Sequence, residues 1–171
     1  MCSSDLPTYK PEGTHVTLFV PNAVRWLGNV LREAAAATPG PVRRLYLSRR
    51  GTDWRRLSNE DELEDVLRQR GFETVTPERL SIAEQVRLFA DAEAIVAPHG
   101  SALTNAVFAR HCTVIELVNP AYPSAIFYTL SDALGHDYWY VLGDRGRDAA
   151  SLDFTCSPYL VERTLDAALS R

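Results

Sequence analysis

The chain has 171 residues, a length that fits one domain and fits two only poorly. Its hydrophobic fraction of 46%, charged fraction of 23% and formal net charge of −4 describe a globular domain with a sizeable core. That charge argues against a general nucleic-acid surface, which needs a basic face, and no apolar run is long enough to cross a bilayer.

Lys10 is the only lysine among the 18 basic residues, the rest being arginines. Codon bias in a GC-rich bacterial genome accounts for that total, and particular arginines remain candidates for holding an anion. Cys2, Cys112 and Cys156 are odd in number and lack metal-ligand spacing, so free thiols in a reducing compartment are expected and no metal site is indicated. Met1 to Gly13 is polar, contains prolines and carries no signal-peptide pattern. Cys2 to Leu6 can be encoded by the end of a common sequencing adapter. Residues 1–13 are therefore expected to be a disordered or artefactual tail, with native sequence beginning near Pro7 in a truncated chain.

Thr14 to Val20 reads as a short strand ended by Pro21, followed by a helix with Val24, Leu27, Val30 and Leu31 on one side. The Thr38 to Pro41 segment is a connector, and Arg44 to Ser48 resumes as a strand. Asn59 has the place of an N-cap, with Glu60, Asp61 and Glu62 where the helix dipole favours carboxylates. Leu63, Val66 and Leu67 form that helix's buried stripe, and Gly71 ends it. Phe72 to Val75 is a strand. Ser81 and Glu84 make a capping box that opens a helix through Val86 and Phe89.

Ala94 to Ala97 is an apolar run suited to a parallel strand covered on both faces. A strand-to-helix turn, Pro98-His99-Gly100-Ser101-Ala102, follows it, with a short helix carrying Leu103, Val107 and Phe108. Thr113 to Val118 is another buried strand. Residues 123–134 read as a helix, Tyr138 to Leu142 as a strand, Gly143 to Asp153 as a polar loop, and Pro158 to Leu169 as a closing helix. The alternation predicts an α/β fold, a Rossmann-like parallel sheet with helices on both faces.

Ligands of such sheets sit outside the carboxyl ends of the strands. Three places there carry polar groups: Ser48-Arg49-Arg50, the stretch from Pro98 to Asn105, and Glu116. Gly100 lets a ligand approach the backbone, and the helix behind it points free N–H groups outward. Ser101, Thr104 and Asn105 add polar side chains, so the turn is either a diphosphate cradle or a capped helix without a ligand. At least one of Arg49 and Arg50 is expected at the ligand edge, while Arg55 and Arg56 serve the same anion or only solvate the surface. Glu116 interrupts an apolar strand, where a carboxylate needs a partner; a ribose diol and an internal arginine are the two alternatives. A serine-hydrolase elbow is disfavoured because His99 and Leu103 stand where it needs glycines, and P-loop and dinucleotide fingerprints are missing.

In order along the chain, Leu47-Ser48-Arg49-Arg50 and Arg56-Leu57-Ser58-Asn59-Glu60-Asp61-Glu62-Leu63 resemble the "SR…R…NE.EL" signature of glycosyltransferase family 61. Gly71-Phe72-Glu73, Pro77-Glu78 and Leu80 to Val86 continue that resemblance. His99 to Asn105 is similar to the family's "HGAGLTN" turn, and Val114 to Leu117 to its "VIEL" strand. Ser101 and Ala102 depart from the usual Ala-Gly, which adds a hydroxyl and leaves the turn intact.

The resemblance implies the C-terminal domain of a GT-B enzyme, with residues 14–171 as one nucleotide-sugar-binding unit. It implies inverting transfer from a UDP-sugar, such as one carrying a pentose or hexosamine, to a glycan or polysaccharide hydroxyl, without a metal cofactor. Carried over by position, Arg49, Arg50, His99, Gly100, Ser101, Ala102, Thr104, Asn105 and Glu116 would contact the donor. Bacterial relatives imply capsule or other surface-polysaccharide synthesis in the cytoplasm, with a peripheral place at the inner membrane. A partner acceptor-binding domain is expected to precede this one and to hold the general base, with His99 the candidate within the chain. The chain alone is then expected to be inactive. The alternative is a non-catalytic nucleotide-binding or interaction module of the same fold.

Overall fold

The computed structural model describes residues 8–9, 17–146 and 152–170. Two short strands, β1 (Thr8–Tyr9) and β2 (Leu18–Phe19), pair antiparallel and precede helix α1 (Pro21–Ala34). The central chain then runs β3 (Arg43–Leu47), α2 (Glu60–Gln69), β4 (Phe72–Val75), a 3-10 turn (Pro77–Arg79), α3 (Ile82–Ala90) and β5 (Ala92–Pro98). A 3-10 helix (Ser101–Phe108), β6 (Thr113–Val118), α4 (Ile126–Leu134) and β7 (Asp137–Leu142) follow. A small ribbon, β8 (Asp144–Arg145) with β9 (Phe154–Thr155), and α5 (Pro158–Leu169) close the chain.

Strands β3 to β7 form one five-stranded parallel sheet in the order β4-β3-β5-β6-β7. This is a doubly wound sheet, as the alternation of elements predicts. The strand order reverses between β3 and β5, because the chain moves outward from β3 to β4 and then returns past β3 to lay down β5. At such a point the connections leave to opposite faces and open a crevice at the carboxyl ends. That crevice lies between Ser48-Arg49-Arg50, after β3, and His99-Gly100, after β5.

Period-two alternation divides the strand residues between two cores. Leu45, Leu47, Ile95, Ala97 and Val114 pack with Val24 of α1, Val86 and Phe89 of α3, the 3-10 helix, and Phe127 and Leu130 of α4. Tyr46, Val96, Ile115 and Leu117 face the other way, onto Leu63 and Leu67 of α2 and Val161 and Leu165 of α5. Full burial of each large apolar side chain contributes about 1.5–3 kcal/mol, which is what holds the sheet between its helices.

Local signals explain most boundaries. The Ser81–Glu84 capping box is complete, with the Glu84 N–H donating to Ser81 Oγ and the Ser81 N–H to the Glu84 carboxylate. Gly71 and Gly135, both at φ 80°, take the left-handed conformation that ends α2 and α4.

Three expectations need revision. Asn59 stands at the N-cap of α2, but its side chain makes no capping bond. Instead its amide donates to the Cys156 carbonyl (2.8 Å) and accepts from the Cys156 N–H (3.1 Å), tying α2 to the start of α5. The polar stretch after Gly143 contains β8, and the Phe154-Thr155 strand that pairs with it exchanges backbone bonds with Arg56 and Ser58. Third, Ser101–Phe108 is a 3-10 helix whose residues from Leu103 onward are all buried. Its Val107 carbonyl sits where a side chain at Gly28 of α1 would have to be, so close packing sets its path.

The strand expected over Thr14–Val20 lies partly outside the described residues; Leu18–Phe19 is its described part. Within the segment expected to be a tail, Thr8–Tyr9 pairs with it. Among the described residues no helix is long and apolar enough to cross a membrane.

Candidate functional site

Arg49 is the centre of the crevice. It leaves β3 at its carboxyl end, is only 9% exposed, and makes no ion pair with any described residue. One guanidinium nitrogen donates to the Trp54 carbonyl (3.2 Å), and its Nε is buried without a partner. A methyl group at Gly100 would lie 1.9 Å from Arg49 Nη1, so the absence of a side chain there is what admits the guanidinium. Burial lowers the Arg49 pKa, and the neighbouring Arg55 lowers it further, against the opposite pull of Glu78 and Glu60.

The loop backbone beside Arg49 is held from below. Glu60, buried at the start of α2, accepts from the Tyr46 hydroxyl (2.9 Å) and from the Arg49 N–H (3.4 Å). Tyr46 is driven above its ordinary pKa by burial first and Glu60 second, so it stays a donor. Glu60 therefore does more than favour the helix dipole.

Arg50 turns away. Its guanidinium pairs with Asp61 (2.5 Å) and Glu64 (2.9 Å) on α2, and the structure does not bring it together with Arg49. Arg56 likewise pairs with Asp153 (3.0 Å). Arg55 behaves differently. It holds φ at 53°, a conformation rare outside glycine, and its guanidinium stacks 4.7 Å above the Tyr122 ring, with no ion pair to any described residue.

Across the crevice, His99 is 6% exposed and lies between Tyr122 and Phe127, with ring centroids 5.6 and 5.1 Å away. Its Nδ1 contacts Glu116 Oε1, and the Tyr138 hydroxyl donates to Glu116 Oε2 (2.5 Å). Glu116 has 0% exposure. Its partners are thus His99 and Tyr138, not an arginine, and it offers no surface to a ribose unless one of them moves. Burial and then Glu116 raise the Tyr138 pKa.

Ser101 stands exposed at the mouth of the 3-10 helix and Ala102 half-buried beside it, while Thr104 and Asn105 are enclosed. Thr104 Oγ1 and Asn105 Oδ1, like Arg49 Nε, are buried polar atoms without a partner. Such atoms are uncommon and costly, and here all three belong to residues that the sequence places at the ligand edge.

Two cavities lie elsewhere. One of about 330 Å³ is lined by Arg50 and Arg56, but Glu60, Asp61 and Asp153 share it and outweigh their charge. The other, of about 560 Å³, lies among Val118, Tyr128, Tyr138 and Tyr140 and has no cation. For an anionic ligand the chemistry favours the crevice over either.

The family model for glycosyltransferase 61 matches residues 6–115, well over half of the chain. The chain belongs to glycosyltransferase family 61. The match takes in β3, β5 and the His99–Asn105 turn and stops one residue before Glu116. A comparison with curated proteins finds none that matches. Family membership implies glycosyltransferase activity, with a sugar donor and an acceptor.

Cys112 and Cys156 are buried free thiols, Cys156 with its pKa pushed up to about 12 by burial and then by Asp144, so neither is a nucleophile. Cys2 lies outside the described residues. No cluster of three or more metal-ligating side chains occurs among the described residues.

Sequence reasoning missed Tyr122 and Tyr138 and left Arg55 undecided. Tyr122 sits in a loop after β6, and only the fold brings it to His99. Arg55 could be told from Arg56 only by the Arg56–Asp153 pair, which spans 97 positions of sequence.

Proposed function

We propose that the crevice between β3 and β5 binds the diphosphate of a UDP-sugar, and that the chain is the donor-binding part of an inverting glycosyltransferase acting on a glycan or polysaccharide hydroxyl. The observation that carries this reading is Arg49: a guanidinium held inside the fold with no carboxylate at ion-pair distance, beside a second unpaired arginine. Two like charges in one crevice repel unless an anion joins them.

In the transfer, the acceptor oxygen attacks the anomeric carbon as that carbon's bond to the diphosphate breaks on the opposite side. Configuration inverts, the acceptor proton passes to a base, and the electron pair leaves with UDP. Arg49 and Arg55 would meet the negative charge that grows on the diphosphate, which is where fixed positive groups lower a barrier. Backbone N–H groups after Gly100 and the exposed Ser101 hydroxyl would add donors, while Thr104 and Asn105 lie enclosed behind them. Arg50 belongs to the loop's support rather than to the ligand.

Calorimetric titration with UDP tests this. Saturable binding is expected, weakened about 10- to 100-fold in Arg49→Ala, the loss of a charged hydrogen bond of about 1.5–3 kcal/mol. Equal affinity in wild type and variant would remove the crevice from donor binding.

A further inference from the structure

We propose that Glu116 and Tyr138 are positioning residues: they hold His99 as the tautomer protonated on Nδ1 and present its bare Nε2 to the crevice. The part played toward the donor rests on the reading of the crevice given above; the tautomer does not.

The two buried histidines make the case by contrast. His136 is engaged at both nitrogens: Nδ1 receives the Cys112 N–H (3.4 Å), and Nε2 faces the Ala106 carbonyl (3.0 Å). A carbonyl can only accept, so His136 carries its proton on Nε2. Nothing is left over, as expected of a histidine that serves packing. His99 is engaged at Nδ1 alone, by the carboxylate of Glu116. A carboxylate also only accepts, so the proton sits on Nδ1. Nε2 of His99 has no partner among the described residues and is not one of the buried orphan atoms, so it keeps some accessible surface.

Glu116 is well built for this work and poorly placed for direct contact. It is wholly buried in β6, on the face it shares with Val114, and its second oxygen is fixed by the Tyr138 hydroxyl. With both oxygens held, the carboxylate cannot rotate, and the imidazole it grips is fixed in turn between Tyr122 and Phe127. An Nε2 held bare in this way accepts a hydrogen bond from a ligand hydroxyl. Where a diphosphate oxygen comes to it instead, Nε2 takes up a proton from solvent and donates to that oxygen, with Glu116 as the buried counter-charge.

The experiment uses the chain labelled with ¹⁵N-histidine and reads tautomers from two-bond proton–nitrogen correlations where the imidazoles are neutral. His99→Ala assigns the His99 signals. His99 protonated on Nδ1 beside His136 protonated on Nε2 is the expected pattern; His99 protonated on Nε2 would overturn the proposal, whatever the variants do. In Tyr138→Phe and Glu116→Gln the Nδ1 tautomer is expected to lose ground, more in the second. UDP titration supplies the second readout. Glu116→Gln is expected to weaken binding about as much as His99→Ala, and the double variant no further, because one residue acts through the other. Additive losses would mean that Glu116 meets the nucleotide itself and would contradict a positioning role. Should folded wild type bind no UDP, the donor reading fails and the tautomer alone decides the proposal.

Discussion

The two ends of the sheet treat their arginines in opposite ways. At the amino ends of the strands four arginines have a carboxylate: Arg43 with Glu73 (2.8 Å), Arg44 with Glu93 (2.5 Å), Arg70 with Asp166 (2.5 Å) and Arg110 with Asp91 (2.8 Å), while Arg32 and Arg87 are satisfied there by backbone carbonyls. At the carboxyl ends, Arg50 and Arg56 are paired in the same manner, while Arg49 and Arg55 are not. Arg49 and Arg55 are also neighbours, and Arg49 is the least exposed of the six arginines in those ion pairs together with itself and Arg55. Paired surface arginines are solubilising and weakly stabilising. A buried unpaired arginine is a standing cost, which a fold keeps where something else supplies the negative charge.

Replacing the central residue breaks the contrast most strongly. Arg49→Met is expected to weaken UDP binding about 10- to 100-fold. Without ligand it should raise stability by about 1 kcal/mol, about 2–4 °C in Tm for a domain of this size, because a buried unsatisfied group is removed. Calorimetry and thermal melting give the two signs, and a fall in both would make Arg49 structural.

Gly100→Ala comes next. At φ 173° the backbone accepts alanine, but the new methyl group must displace the Arg49 guanidinium. Since that is the flexible end of a side chain, the fold should survive with stability changed by less than about 1 kcal/mol while UDP affinity drops about tenfold. Unchanged affinity in a titration would separate Gly100 from the ligand site.

Paired arginines sharpen the comparison by doing little. Arg50→Ala and Arg44→Ala should each cost about 0–1 kcal/mol in denaturant unfolding and leave UDP affinity within about twofold. A large affinity loss in Arg50→Ala would return that residue to the site.

A smaller effect belongs to the amino end, where His136 is packed below β6 and β7. Burial, chiefly, holds its pKa below the ordinary histidine value, with the Ala106 carbonyl opposing. The unfolded chain therefore takes up a proton before the folded one does. Stability is whole above the unfolded value of about 6.5 and declines as pH falls below it. Unfolding curves across that range should show the decline flattened in His136→Gln.

The fold was largely legible because its signals are local. The capping box at Ser81, the glycine after α2 and the apolar runs of β5 and β6 each act within a few residues. The bounds of α5, Pro158–Leu169, match the expected helix. The site was legible as a set of loops and not as a set of contacts. Nothing local tells which of Arg49 and Arg50 turns inward; Asp61 and Glu64 decide it by claiming one of them. Glu116 announced that it needed a partner, but a ribose or an arginine was as good a guess as His99, which lies 17 positions earlier. The 3-10 form of Ser101–Phe108 depends on what α1 lets close to it at Gly28, a tertiary fact.

The most direct test is a crystal structure of the chain with UDP. The account predicts the diphosphate between Gly100 and Arg55, with an oxygen about 3 Å from the Arg49 guanidinium. UDP lodged instead in the tyrosine-lined cavity beside Tyr128 and Tyr140, with Arg49 still unpaired, would contradict it.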